Sequence, residues 1–197
     1  MRLVLARGPL RNILRWLQRG LFVSAAALLS YCAFSLWSEW RYQKTEGKQL
    51  DRLRAEGQVA PVSHKVEAGA LIGKIAVPRL GLSVVIVEGT DKNMLRRGAG
   101  HIPGTAMPGQ PGNAAVSAHR DTFFRPLRNI RLRDVVTVAT PAGEFRYRVV
   151  STRIVAPTDI SVLAAGTGEV LTLVTCYPFY YVGPAPKRFI VRAERTL

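Results

Sequence analysis

From Ala70 onward the apolar residues come in short runs, each cut off by Gly, Pro or a charge within a few positions, and that punctuation closes off most folds. The runs over 72–77, 83–87, 114–119, 135–139, 144–155, 170–176 and 189–193 have strand length and are bounded by turn formers. The clearest is 144–149, where Phe145, Tyr147 and Val149 alternate with Glu144, Arg146 and Arg148, the period-two pattern of a half-buried strand. Helix-like stretches are short, at 91–97, 123–130 and 159–164. Many closely spaced strands with few helices predict a mainly β domain, an antiparallel barrel or sandwich. The roughly 128 residues from Ala70 to Leu197 suffice for one such core. Between Gly98 and Gly112, five glycines and three prolines specify a shaped loop rather than a regular element.

The N-terminal third obeys different rules. Residues 21–37 carry no charge, and as a helix they would be about 26 Å long, at the short end of what crosses a bilayer. Trp16 before the run and Trp37 and Trp40 after it stand where interfacial belts stand. Arg2, Arg7, Arg11, Arg15 and Arg19 crowd the N-terminal flank, whereas the far side opens with Glu39. The positive-inside rule then puts the N-terminus in the cytoplasm and the chain beyond about residue 40 outside. A cleaved signal peptide fits less well, because no Ala-x-Ala site follows, and a lipoprotein site would need a small residue before Cys32, where Tyr31 stands. The expected organisation is a basic cytoplasmic segment at 1–20, a single-pass anchor at 21–37, a stalk and linker at 38–69, and an outer domain at 70–197.

Basic residues outnumber acidic ones by 28 to 13. With the five N-terminal arginines set aside the balance remains 23 to 13, which favours anionic surroundings. No nucleic-acid motif is present, nor are basic residues interleaved with aromatics. There are two cysteines; Cys32 falls in the apolar segment, so Cys176 has no disulfide partner in its own domain. Neither Cys-x-x-Cys nor His-Glu-x-x-His occurs, so no metal site and no cofactor are expected.

Three reactive side chains fall at run ends. Cys176 closes the run from Val170 and is followed by Tyr177-Pro178; His119 closes the run from Asn113; Arg188 opens the last run. A free thiol is only a few per cent thiolate at neutral pH, and a nearby imidazolium stabilises the thiolate and can protonate a leaving amine. Guanidinium keeps its proton, so Arg188 suits anion stabilisation rather than base chemistry. Alternation puts Thr172, Val174 and Cys176 on one sheet face, and Ala115, Ser117 and His119 on one face of another strand, where small side chains would let an extended peptide lie close. Singly, each has an ordinary alternative: an inert buried thiol, a surface histidine at a turn, an exposed strand arginine. His101 competes with His119, although its place in the Gly/Pro loop also suits a loop-fixing hydrogen bond. His64 lies in the linker and reads as solvated.

Together these features resemble the sortases, cysteine transpeptidases of prokaryotic envelopes. The resemblance runs from about Ile72 to Arg195 and is carried by His-Ile-Pro-Gly-Thr at 101–105, Gly-Asn at 112–113, Ala118-His119-Arg120-Asp121, Leu173-Val174-Thr175-Cys176-Tyr177-Pro178 and Arg188-Phe189-Ile190-Val191. The stretch 177–186 is most similar to class D members. The resemblance implies an eight-stranded β-barrel with Cys176 as nucleophile, His119 as general acid/base and Arg188 as stabiliser of oxyanion or substrate. Ser117, Ala118, Thr175 and Tyr177, flanking the reacting residues, are the candidate substrate-binding positions. It implies cleavage after Thr in a Leu-Pro-x-Thr-Gly-like C-terminal sorting signal of an exported protein, through a thioester. An amine of the envelope, a peptidoglycan precursor or a pilin lysine, would then accept the acyl group. Many members carry Gly where Ala118 stands. No acidic cluster of the kind a calcium-activated variant needs is present.

Two alternatives have the same anchor: a cysteine peptidase that releases its substrate to water, and a non-catalytic peptide-binding module. A papain-like enzyme expects a helix at its nucleophile, which Tyr177-Pro178 opposes, and an L,D-transpeptidase expects Gly-Cys-Ile/Val-Arg, which is absent.

Overall fold

A computed structural model describes residues 7–55, 66–166, 168–181 and 183–196. Its first element, α1 (Arg7–Ala55), is one unbroken helix of 49 residues. At 1.5 Å per residue it is about 74 Å long, more than twice a hydrocarbon core. Asn12–Glu46 within it is long and apolar enough to cross a membrane. The expected anchor lies inside that span, and the expected stalk is a continuation of the same helix as far as Ala55. Leu21, Phe22, Val23, Leu28, Leu29, Phe34 and Leu36 are all exposed, the reverse of a core helix. Most of the expected linker, 56–65, falls outside the described residues, as do residues 1–6 of the basic segment. The chain divides into two compact units, the first ending at Tyr42 and the second beginning at Gln43.

The second unit holds eight strands: β1 (Leu71–Val77), β2 (Leu82–Glu88), β3 (Ala99–His101), β4 (Gly112–Ser117), β5 (Val135–Thr140), β6 (Gly143–Val155), β7 (Glu169–Tyr177) and β8 (Lys187–Thr196). They close into a barrel in the order β1-β2-β3-β4-β7-β8-β6-β5. Closure pairs every strand edge. The seven runs read from the sequence are seven of these strands. The expected helices are α2 (Lys92–Arg97), capped by the Asp91 carboxylate on the Asn93 and Met94 N–H groups, and two 3-10 turns at Arg125–Asn129 and Ile160–Leu163.

Two expectations need correction. The loop between Gly98 and Gly112 was expected to contain no regular element, yet Ala99–His101 forms β3 and Gly112 opens β4. Glycine is the reason: a Cβ at Gly100 would come within 2.1 Å of the Gly89 carbonyl oxygen, so only a bare backbone pairs there. The barrel is also not wholly antiparallel, since β2 with β3 and β4 with β7 run parallel. Parallel neighbours need crossovers. One runs through α2; the other, after β6, carries the Ile160–Leu163 turn.

The lumen is filled by alternate residues. Ile75, Val84, Ile86, Val116, Val136, Val138, Leu171, Leu173 and Val191 belong to one buried cluster with Phe124 and Leu127. Tyr147 is buried among them, and its phenol oxygen accepts the Gly109 N–H at 2.8 Å. Burial pushes that phenol's pKa up. Because Leu171 and Leu173 point inward, Thr172, Val174 and Cys176 occupy the outer face of β7.

Candidate active site

Strands β4 and β7 run side by side in register, with Ala115 beside Thr172 and Ser117 beside Val174. The pairing outlasts β4 by one residue: the Ala118 N–H donates to the Val174 carbonyl at 3.2 Å, and the Thr175 hydroxyl donates to the Ala118 carbonyl at 2.8 Å. Continued one step further, this register brings His119 level with Cys176. The turn after His119 is fixed by the Phe124 N–H, which donates to the His119 carbonyl at 3.0 Å, and by the fully buried rings and chains of Phe124 and Leu127. On the other side of β7, Cys176 is the antiparallel partner of Arg188. Cys176 and Arg188 thus pair across β7 and β8 at one end of the barrel, on its outer face, and the register of β4 with β7, bonded as far as Ala118, leads His119 toward the same row.

Their environments differ. His119 is exposed; Cys176, a free thiol, and Arg188 are half-buried. The Arg188 guanidinium donates from Nη1 to the carbonyls of Ala185 at 3.2 Å and Lys187 at 3.1 Å. Both bonds use one nitrogen, so the fork is oriented while its Nε and Nη2 have no hydrogen-bond partner among the described residues, a form suited to an anionic or carbonyl group. On the opposite, luminal side of the strand ends the Tyr177 ring stacks on Phe189, with centroids 6.3 Å apart, and Phe179 meets both rings edge-on, at 5.4 Å from Phe189 and 6.1 Å from Tyr177. Such a trio makes a rigid apolar wall.

The candidate binding positions divide. Ser117 is partly exposed and has the parity of the row; Tyr177 is partly exposed but shares the inward parity of Thr175. Ala118 and Thr175, at 3% and 2% exposure, turn their side chains into the barrel, so neither offers a side chain to a peptide; they position the residues that follow them. The expected peptide path over Ala115 is also corrected, since Ala115 is fully buried. On that face the crossover before β7 is bonded down: Asn113 Nδ2 donates to the carbonyls of Val162 at 3.0 Å and Ala164 at 3.3 Å, while its Oδ1 accepts the Thr172 hydroxyl at 2.7 Å. Any groove at Cys176 therefore ends near Ser117. Asn113 is a residue the sequence reading quoted without giving it this work.

His101 is settled by burial. It is 2% exposed, with Nδ1 2.7 Å from the Glu88 carboxylate and Nε2 3.0 Å from the Ala106 carbonyl oxygen and 3.1 Å from the Thr105 hydroxyl. It sits on the luminal parity of β3 with Ala99, whereas Cys176 faces outward, so the sheet separates the two. Its bonds brace the loop that follows it. A cleft of about 510 Å³ lined by Arg79, Leu80, Pro126, Arg128, Asn129, Ile130 and Arg131 lies apart from this row and contains none of its residues.

A thiol, an imidazole and a guanidinium at adjacent strand ends can attack an acyl carbon, move a proton and meet an oxyanion. Comparison with known proteins agrees with that chemistry. Residues 75–196 match the family model of the sortase domain. The chain is 40% identical over 135 residues to sortase D of Bacillus subtilis, covering 68% of each protein. It is 27% identical over 111 residues to sortase A of Listeria monocytogenes, covering 54% of this chain and 50% of that one. The fold matches the sortase D5 transpeptidase of Clostridium perfringens with a TM-score of 0.69 at 24% identity, over 80% of this chain and 99% of that one. It also matches sortase C of Clostridium perfringens SM101 with a TM-score of 0.61 at 24% identity, over 80% and 90%. A barrel of this topology, a domain match over most of its strands and a relative at this identity lead to one assignment: the chain belongs to the sortase family of cysteine transpeptidases.

Proposed function

We propose that Cys176, His119 and Arg188 form the catalytic set, acting on a Leu-Pro-x-Thr-Gly-like sorting signal of an exported protein. The observation that carries the reading is the row itself, with Cys176 facing Arg188 across β7 and β8 and the end of β4 bonded alongside through Ala118. The Cys176 thiolate attacks the carbonyl carbon of Thr, and the carbonyl electron pair moves onto oxygen, where the Arg188 guanidinium meets the charge. When the intermediate collapses the C–N bond breaks, and the His119 imidazolium protonates the departing amine. A thioester to Cys176 remains. An acceptor amine then attacks the thioester, gives its proton to the His119 imidazole, and displaces the sulfur.

The same reading makes 70–197 the catalytic domain, 38–69 its stalk and linker, and 21–37 the part of α1 that anchors it, behind the basic cytoplasmic segment at 1–20. Arginines on the N-terminal flank support a cytoplasmic N-terminus and a barrel on the outer side of the cell membrane, where exported substrates and envelope amines are found. The acceptor is an amine of a peptidoglycan precursor or a pilin lysine. Ser117 borders the bound signal, and the aromatic cluster at Tyr177 supports the end of β7 from the barrel side.

The test uses the full chain in detergent micelles with synthetic sorting-signal peptides that vary around Thr. Mass spectrometry is expected to find a thioester adduct on Cys176 and the released C-terminal fragment, both absent in Cys176→Ala. An added amine is expected to turn the adduct into a ligated product. Intact Cys176 with no adduct across the peptide set would overturn the proposal, and release without ligation at any amine concentration would make the protein a peptidase.

A further inference from the structure

We propose that Arg120 is a positioning residue: it latches the connection between Cys176 and Arg188 onto the turn that carries His119, and so sets the spacing of thiol and imidazole. The inference rests on the roles given above to Cys176 and His119.

The connection from β7 to β8, residues 178–186, joins the proposed nucleophile to the proposed oxyanion stabiliser. It contains Pro178, Gly183, Pro184 and Pro186, so it has few N–H groups with which to brace itself. The Tyr181 N–H donates to the Pro178 carbonyl at 3.3 Å, a long bond. The firmer support comes from another part of the chain. Arg120, the residue directly after His119, donates from Nη2 to the carbonyls of Tyr181 at 2.5 Å and Gly183 at 3.0 Å, and its guanidinium lies 5.8 Å over the Tyr181 ring. Arg128, from the same connection as Arg120, donates from Nη1 to the Tyr180 hydroxyl at 2.8 Å and lies 5.5 Å over that ring. Two arginines of the segment after β4 therefore hold neighbouring residues of the segment after β7.

An arginine placed for its own solvation would not look like this. Nη1 of Arg120 is buried with no acceptor among the described residues, an arrangement that costs stability on its own. The guanidinium sits where the loop carbonyls need it. Among the described residues His119 has one hydrogen bond, at its carbonyl from the Phe124 N–H, so the latch adds a second fixed point one residue along the chain. Proton transfer tolerates little slack, and a displacement of about 1 Å can cost on the order of 100-fold in rate.

The experiment compares the full chain in detergent with Arg120→Ala, Arg120→Gln and Arg120→Lys. It reads kcat and KM for fragment release, together with the pH dependence of Cys176 alkylation by iodoacetamide. Arg120→Ala is expected to lower kcat by about 10–100-fold, with a smaller change in KM and an altered alkylation profile. Arg120→Lys is expected to recover most of kcat, because one ammonium can donate to both carbonyls, whereas Arg120→Gln is not. Arg120→Ala with wild-type kcat and alkylation profile overturns the latch. If Arg120→Ala fails to fold, the other two decide: equal kcat in Lys and Gln overturns it, and Lys well above Gln supports it. A wild-type chain that releases no fragment instead sinks the parent reading, and the alkylation profiles still test the latch.

Discussion

The hydroxyl of Thr175 donates to the carbonyl of Ala118 at 2.8 Å, which bonds the residue before the thiol to the residue before the imidazole. Both are buried, so the bond is shielded from water and the ends of β4 and β7 move as one. Replacing Thr175 by Val keeps the shape but leaves a buried carbonyl without its donor. The expected cost is about 1–3 kcal/mol, read as a lower denaturant midpoint at unchanged slope. Fragment release should slow as well, because the register beyond Ser117 loses one of its two bonds. Thr175→Ser, which keeps the donor, is expected to recover most of that rate.

The two histidines of the barrel separate cleanly under mutation. His119 is exposed, and among the described residues only its backbone has a hydrogen bond. His119→Ala should leave stability within about 0.5 kcal/mol while removing fragment release. His101→Ala removes the hydrogen-bond partner of the Glu88 carboxylate and of the Ala106 carbonyl inside the barrel, at an expected cost of about 1–3 kcal/mol. Thermal unfolding and peptide cleavage measured on both variants check the contrast. A stable, inactive His101 variant beside an active His119 variant would exchange their assignments.

In the proposed mechanism Arg188 acts through its donors rather than its charge alone. Arg188→Lys keeps the charge but loses the planar fork that the Ala185 and Lys187 carbonyls orient. Loss of an oxyanion donor typically costs about 100–1,000-fold in kcat. Arg188→Ala is expected in that range, with Arg188→Lys recovering only a minor part. Single-turnover acylation of Cys176 is the measurement that isolates this step.

What the sequence made legible was punctuation and periodicity. Cys176, His119 and Arg188 stood out because each terminates an apolar run, and strand ends are where side chains from different elements meet. Face was legible for residues of equal parity, so Ser117 and Val174 were read correctly as companions of His119 and Cys176. Sequence neighbours of an outward residue point inward, which is why the side chains of Ala118 and Thr175 are buried and Tyr177 shares their parity. Pairing order was not legible, since alternation tells which face a residue takes but not which strand lies beside it; the parallel pairs follow from crossovers that only tertiary packing selects. β3 was hidden for a different reason. Its Gly100 has almost no strand propensity and is there because the Gly89 carbonyl comes so close.

The arginine-rich stretch after His119 is pinned at its far end by an ion pair whose pH dependence has a definite sign. Arg79 donates from Nε and Nη2 to both oxygens of Asp134 at 2.5 Å, and the Arg131 N–H adds a bond at 2.7 Å. The Arg79 hydrogen bonds hold the Asp134 carboxyl below the usual carboxylate range, outweighing a burial effect in the opposite sense, and the Arg131 N–H lowers it further. A carboxyl with a depressed folded-state pKa contributes stability that is fully present above its unfolded value, near 3.9, and is lost as pH falls through the folded value. Arg79 is itself raised and stays charged throughout this range. Asp134→Asn removes the titration. At pH 7 it should lower Tm by roughly a few degrees, a modest effect because solvent reaches the Arg79 side and screens the pair. Below about pH 4 the gap between wild type and variant should narrow steadily, because the wild type alone loses the charged contact. Thermal unfolding from pH 7 down to about pH 2.5 checks this. A gap that stays constant or widens on acidification would show that the carboxylate's charge does not hold the end of this connection.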